Sequence, residues 1–335
     1  MEIRIDQIKQ DMSDVTIIMY HYVREIKNSR FPEIKGLEAE LFREQLLFLK
    51  KNYNFVTVDE VINSVYNNYK LPSKAVLLTF DDGYSDHYTY VFPVLLELGI
   101  QGSFYIPAKA IKEHKMLDVN KIHFVLAAEP DENKIISDIK LLIEKYKTEY
   151  NLQDFDFYYN KLAIESRYDT AEVIFIKRLL QVELDEEVRC KIVDSLFVNF
   201  LHVDESEFAK DLYLNETQVK EMLKAGMHIG CHGYDHYWWN KLNPDELEKE
   251  INLSLEFLSD MGVDTSNWTA AYPYGSHSGN VEKLLRKKKC RLAFTTQVNI
   301  ANTSKESGLF MPRLDTNDMP KDSGALPNEW YAKST

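Results

Sequence analysis

The apolar positions of the chain fall into two kinds of run. Short, almost wholly apolar stretches lie at 15–20 (VTIIMY), 75–80 (AVLLTF), 103–106, 227–231, 268–272 and 291–296. Their length and the β-branched residues in several of them predict strands, buried on both faces where the run is wholly apolar. Between them, apolar residues recur at helical spacing. Residues 37–51 carry Phe42, Leu46 and Leu49 on one stripe. Thr57 and Glu60 have capping-box spacing ahead of Val61 and Ile62. A helix through Tyr88, Phe92 and Leu95 should end near Gly99, with Pro93 marking a kink or a late start. Asn215 with Gln218 opens another helix that stops near Gly226. Asn243, Pro244 and Glu246 open the helix carrying Leu247, Ile251 and Leu258, and a basic helix separates the last two strands. This alternation predicts an α/β fold around a mostly parallel sheet.

The rhythm breaks between about 112 and 211. There the pattern is helical and charge-rich, with stripes at Ile135, Ile139 and Leu142, at Val173, Ile176 and Leu180, and at Ile192, Leu196 and Phe197. The expected organisation is therefore a barrel-like sheet domain split in two, 1–111 and 212–335, around a helical insertion or lid at 112–211.

Composition narrows the function. With 335 residues, 44% hydrophobic, there is ample material for a core. The formal charge of −13 argues against nucleic acid and anionic membrane as main partners. Cys190, Cys231 and Cys290 form no CxxC, which argues against a disulfide framework and against a multi-cysteine zinc site. No apolar run is long enough for a membrane span. The opening MEIRIDQIKQDMSDV lacks a basic-then-apolar leader, so a cytoplasmic protein is the expectation.

Three motifs carry chemistry, and each follows a predicted strand. Thr79-Phe80-Asp81-Asp82-Gly83 sets two carboxylates side by side at a strand end, where α/β folds place their sites. By itself, Asp-Asp-Gly equally describes a solvated turn. His232-Gly233-Tyr234-Asp235-His236 offers two imidazoles at i and i+4, on one face if the segment turns helically, whereas His228 falls inside the strand and reads as packed. Tyr272-Pro273-Tyr274-Gly275 is a turn whose amides could face a ligand. A barrel-like sheet brings the three to one mouth. Asp82, His232 and His236 then supply two imidazoles and one carboxylate, a set that suits zinc with a position left for water. Asp81 is left as a base for that water.

TFDDG, HGYDH and PYG in this order resemble the polysaccharide deacetylases of the NodB-homology type, carbohydrate esterase family 4. The resemblance covers about 15–107 and 214–296 and leaves out the helical stretch between. It implies a distorted (β/α) barrel and metal-dependent hydrolysis of N-acetyl groups on amino sugars, with Zn2+ foremost and Co2+ or Ni2+ as alternatives. By position, Asp81 resembles the catalytic base, Asp82, His232 and His236 the metal triad, and the Tyr274 amide the oxyanion donor.

The chain departs from that pattern at three points. Gly233 stands where many members have Ser or Thr, which removes a hydrogen bond behind the ligands. Ala271 stands where many have the Arg that orients the base, so Arg313, in Met311-Pro312-Arg313-Leu314-Asp315, is the candidate replacement. The C-terminal Leu-x-His that often supplies the general acid is missing, and His277 is the last His. Met19-Tyr20-His21-Tyr22-Val23 resembles the N-terminal motif of the branch acting on poly-N-acetylglucosamine-like exopolysaccharides, in which a His of this motif is the acid. That gives His21 the role of donor to the leaving amine, a task suited to an imidazole.

Tyr84, Tyr234, Tyr237, Trp238, Trp239 and Tyr272 cluster near the motifs as a candidate sugar-stacking wall. The expected substrate is an amino sugar, nucleotide-linked, lipid-linked or in an oligosaccharide, with a lid favouring a small one. Two other readings share the scaffold: hydrolysis of a formyl or cyclic amide, and non-catalytic carbohydrate binding.

Overall fold

The computed structural model describes residues 13–165 and 169–334; the segment read for a leader, 1–12, lies outside them. The chain forms two compact units. Unit 1 takes Gly36–His114 and Lys210–Thr335 together with the N-terminal stretch through Glu25, and unit 2 takes Ile26–Lys35 and Lys115–Ala209.

Unit 1 is built on a nine-stranded sheet. Its strands are β1 (Asp14–Tyr20), β2 (Asn54–Phe55), β3 (Ala75–Phe80), β4 (Gly102–Ile106), β5 (His228–Cys231), β6 (Thr269–Ala271), β7 (Leu292–Phe294), β8 (Ala301–Asn302) and β9 (Leu314–Asp315). The main path runs β8-β1-β3-β4-β5-β6-β7, with β9 on β1 and β2 on β3. From β1 to β7 every pairing on that path is parallel. The mostly apolar runs expected at 75–80 and 103–106 are buried along their full length, as a sheet covered on both faces requires. The sheet curls as a half-barrel. Residues 308–315 run between two of its strands: Met311 bridges Phe294 of β7, and Leu314 pairs with Ile18 of β1.

Helices follow the expected starts. α1 is Ala39–Asn52; Leu37 and Glu38, expected in it, instead pair with Val23 and Arg24. α2, Val58–Asn67, begins at the Thr57–Glu60 capping box. Pro93 sits in the first turn of α3, Phe92–Leu98, after a wider π-type turn at His87–Val91, and Gly99 ends α3 in the left-handed conformation. α4 (Glu216–Lys224) and α5 (Pro244–Met261) open on the capping boxes of Asn215 and Asn243. The basic helix is α6, Gly279–Lys287. Among the described residues no helix is long and apolar enough to cross a membrane.

Unit 2 is helical, with Asp118–Ala128, Glu132–Tyr146, Phe155–Leu162, Ala171–Arg178 and Glu186–Leu201. The stripes at Ile135, Ile139 and Leu142 and at Ile192, Leu196 and Phe197 are buried in it. The expected boundaries, 112–211 with everything earlier in the sheet domain, need correction. Ile26–Lys35 also belongs to unit 2, because Phe31 packs edge-on against Phe124 and Phe208, at 5.0 and 5.8 Å, and Ile34 is buried. One short aromatic segment thus joins a core supplied from a hundred residues downstream.

Candidate active site

Parallel neighbours put their C-terminal ends at one edge of the sheet, and the three motifs meet there. The Asp81 amide donates to Tyr20 O at 2.9 Å, which sets the end of β3 beside His21. His232 leaves β5, its amide donating to Ile106 O at 3.1 Å. Tyr272-Pro273-Tyr274-Gly275 follows β6. Asp82, His236 and Tyr274 all take left-handed backbone, with φ of 71°, 61° and 57°. Such strain persists where surrounding structure holds it, and it gathers at functional sites.

Asp82 Oδ1 lies 3.3 Å from His232 Nε2 and 3.5 Å from His236 Nε2, and the two Nε2 atoms are 3.2 Å apart. Three donors about 2.0–2.1 Å from a tetrahedral zinc would stand roughly 3.3–3.4 Å from one another. His232 Nδ1 is 2.8 Å from Ala271 O, so the proton sits on Nδ1 and the Nε2 lone pair faces the cluster. The other oxygen of Asp82 accepts from Tyr84 O–H at 2.5 Å. The donor set fits a divalent cation. A second three-donor grouping, Asp118, Glu186 and Cys190 in unit 2, already holds the Arg189 guanidinium.

Asp81 is separate from the three donors. Arg313, buried, grips it with two parallel bonds, Nη1 to Oδ1 at 2.9 Å and Nη2 to Oδ2 at 2.7 Å. The guanidinium is fixed from behind by Thr295 O at 2.9 Å and Thr79 Oγ1 at 3.1 Å. The structure therefore places Arg313 on Asp81 while Ala271 contributes no side-chain charge. Burial alone would raise the Asp81 carboxyl, but Arg313, His232 and His21 together hold it below its ordinary value. Asp82 is likewise pushed up by burial and drawn well below the carboxylate range, first by His232 beside it and then by His21 and His236. Burial works to lower His232, and Asp82 and Asp81 lift it above the ordinary imidazole value. His236, buried beside His232, falls to about 3.

His21 is half-buried at the end of β1. It acts electrostatically on Asp81, Asp82 and His236, and its carbonyl accepts from His87 Nε2 at 2.9 Å. Tyr274 stacks on Trp238 with ring centroids 4.6 Å apart and lies edge-on to His236 at the same separation. All seven predicted site residues thus gather at the strand ends of unit 1.

Three expectations need correction. First, residues 232–236 do not turn helically; a loop with left-handed Gly233 and His236 brings the imidazoles together. Second, most of the aromatic wall is core. Tyr84, Tyr234, Trp239 and Tyr272 are buried, which leaves Tyr237 and Trp238, joined by Tyr274, as partly exposed rings. Third, Gly233 does more than omit a hydroxyl: a Cβ there would stand 2.7 Å from Glu250 Oε1.

Sequence reasoning missed Glu250, which accepts from the Tyr234 and Asp235 amides at 2.8 and 2.9 Å. Its position three residues after Leu247 puts a carboxylate on the apolar stripe of α5, a signal that was there to read. Burial, then Asp235, pushes Glu250 up to about 7.

A family model described as polysaccharide deacetylase matches residues 68–138 and 191–293, over half of the chain. Poly-beta-1,6-N-acetyl-D-glucosamine N-deacetylase of Escherichia coli (strain K12) is 39% identical over 80 residues, which is 23% of this chain but only 12% of that relative's length. The solved structure of Streptococcus pyogenes deacetylase PplD in complex with acetate superposes with a TM-score of 0.56 at 18% identity, covering 96% of this chain and 97% of that one. IcaB from Ammonifex degensii gives a TM-score of 0.56 at 19% identity and 96% coverage of both chains. At these identities the two structures establish a shared fold.

Proposed function

Because the chain belongs to the polysaccharide deacetylase family, we propose that it hydrolyses the N-acetyl group of an amino sugar, releasing acetate and a free amine. One observation carries the reading. A three-donor cluster, Asp82, His232 and His236, shares its strand ends with a second carboxylate, Asp81, that stands apart from it and is locked by Arg313.

Asp82, His232 and His236 would hold the cation, zinc foremost and cobalt or nickel as substitutes. When bound, it would acidify a water and polarise the acyl oxygen. Asp81, ionised at neutral pH, takes the proton of the attacking water at a carboxylate oxygen. Arg313 is a positioning residue that fixes the plane of that carboxylate. The Tyr274 amide donates to the oxyanion as the new C–O bond forms. His21 protonates the nitrogen as the C–N bond breaks.

The name of the Escherichia coli relative supports N-acetylglucosamine oligomers as the first substrate to try. Nucleotide-linked and lipid-linked amino sugars complete the panel. The test is acetate release by protein stripped of metal and reloaded with zinc, cobalt or nickel. Metal-dependent acetate supports the reading. Formate instead of acetate would indicate a formyl amide hydrolase, and tight metal binding without any hydrolysis a carbohydrate-binding protein.

A further inference from the structure

The two histidines of the cluster are supported unequally. His232 has a carbonyl behind its Nδ1, whereas His236 Nδ1 is buried with no hydrogen-bond partner. A ring with no hydrogen bond behind it is aimed by its backbone and by the rings it packs against, here Tyr274 and His232. At His236 that backbone is left-handed and ends the loop 233–235.

The loop is held on two sides. Its carbonyls at Gly233 and Tyr234 accept from the Ala108 and Lys109 amides, at 3.1 and 3.0 Å. Its amides at Tyr234 and Asp235 converge on Oε1 of Glu250, which is 4% exposed and reaches in from α5, and the Asp235 amide also meets Oε2 at 3.2 Å. The carboxylate lies where a side chain at position 233 would go, 2.7 Å from the place of its Cβ, and Gly233 takes φ 81°. Lys109 pairs with the Asp235 carboxylate and offsets part of the negative charge gathered there.

We propose that Glu250 is a positioning residue for metal binding: its carboxylate fixes the loop that spaces His232 from His236 and so aims the His236 ring. The glycine at 233 and the glutamate at 250 then act as one device, the first vacating the volume that the second fills. This inference rests on the reading of Asp82, His232 and His236 as the cation site.

The test is titration of Co2+ into the metal-free full chain at fixed pH, reading the dissociation constant and the cobalt absorption bands. Glu250→Ala should bind Co2+ about 10–100-fold more weakly, with altered bands, while Glu250→Gln, which keeps an acceptor for both amides, should stay within about threefold of the parent. A purely structural role would lower the thermal midpoint of the metal-free protein and leave the constant and bands unchanged, and that result overturns the proposal. Should Glu250→Ala not fold, Glu250→Asp takes its place: it keeps the charge but withdraws it by one methylene. Weaker cobalt binding by Asp than by Gln supports the proposal, and equal binding overturns it. If the parent binds no Co2+, or if His236→Ala binds it equally well, the cation site itself is wrong and the role of Glu250 falls with it. A parent that loses Co2+ in His236→Ala but not in Glu250→Ala removes the positioning role alone.

Discussion

In unit 2, Lys121 is almost fully buried and holds Asp194 and, at 3.1 Å, Glu205. Arg189 in the same unit holds Glu186 and, at 3.4 Å, Asp118, with Cys190 Sγ against both carboxylates. At the strand ends of unit 1, Arg313 holds Asp81 in the same manner. One residue on, the pattern stops. Among the described residues no Lys or Arg pairs with Asp82; its Oδ1 faces His232 and His236 Nε2 atoms that also face each other. A buried carboxylate with its own guanidinium is complete, and removing either partner is what costs stability. Asp82 Oδ1 and the two Nε2 atoms converge with no Lys or Arg among them, and a cation from outside would complete the three as ligands. The difference separates a structural ion pair from a ligand site, although both are buried clusters of the same residue types.

The largest effect should come from the complete pair nearest the incomplete cluster. Asp81→Asn should cut acetate release by about 10²–10⁴-fold. Zinc affinity should stay unchanged, since Asp81 is not one of the three donors. A parallel loss of zinc binding would merge Asp81 into the cluster and dissolve the distinction. Arg313→Met should leave Asp81 as an uncompensated buried charge and cost about 3–5 kcal/mol in urea denaturation. Unchanged stability would show that Asp81 does not depend on Arg313 in the way Glu186 and Asp118 share Arg189.

How much of this could be read from the chain divides along the same line. Asp81, Asp82, His232 and His236 sit directly after apolar runs, and a parallel sheet brings the ends of such runs together, so the site was legible wherever strands were. What stayed hidden depends on tertiary placement. Arg313 was expected on Asp81 only as a replacement for the arginine missing at 271; what carries it there is the run of 308–315 between β7 and β1, a pairing that no local pattern encodes. Phe31 joins unit 2 through partners at Phe124 and Phe208, far along the chain. The helical turn expected for 232–236 failed because left-handed backbone at a histidine is imposed by neighbours, here including Glu250, rather than by propensity. The aromatic wall failed for a related reason: Tyr, Trp and His near a site read alike whether they line it or pack beneath it.

Zinc separates the two three-donor groupings directly. With zinc at about 100 times its dissociation constant, the parent should gain about 2.7 kcal/mol of stability. His236→Ala should lose that gain, and Cys190→Ala should keep it, because Arg189 already completes the unit 2 grouping. A gain lost in Cys190→Ala and kept in His236→Ala would reverse the assignment of the two clusters.

The smallest effect probes the complete pairs themselves. Burial works to raise the Glu205 carboxyl, but Lys121 holds it below its ordinary value. A depressed carboxyl contributes stability that is fully present above its unfolded pKa of about 4.3 and is lost as pH falls through the folded value. In Lys121→Met the largest attraction is gone and only the Met116 amide and Lys115 still oppose burial, so Glu205 should take up its proton at higher pH. The acid limb of the urea midpoint, followed from pH 7 to pH 3, should then be shallower than in the parent, because a folded carboxyl brought up to or above its unfolded value no longer loses stability as pH falls. At neutral pH the variant should lose only about 1 kcal/mol or less, because Asp194 and part of Glu205 remain in water. Superimposable acid limbs would mean that Lys121 does not neutralise Glu205, and the helical unit would then hold an incomplete cluster of its own.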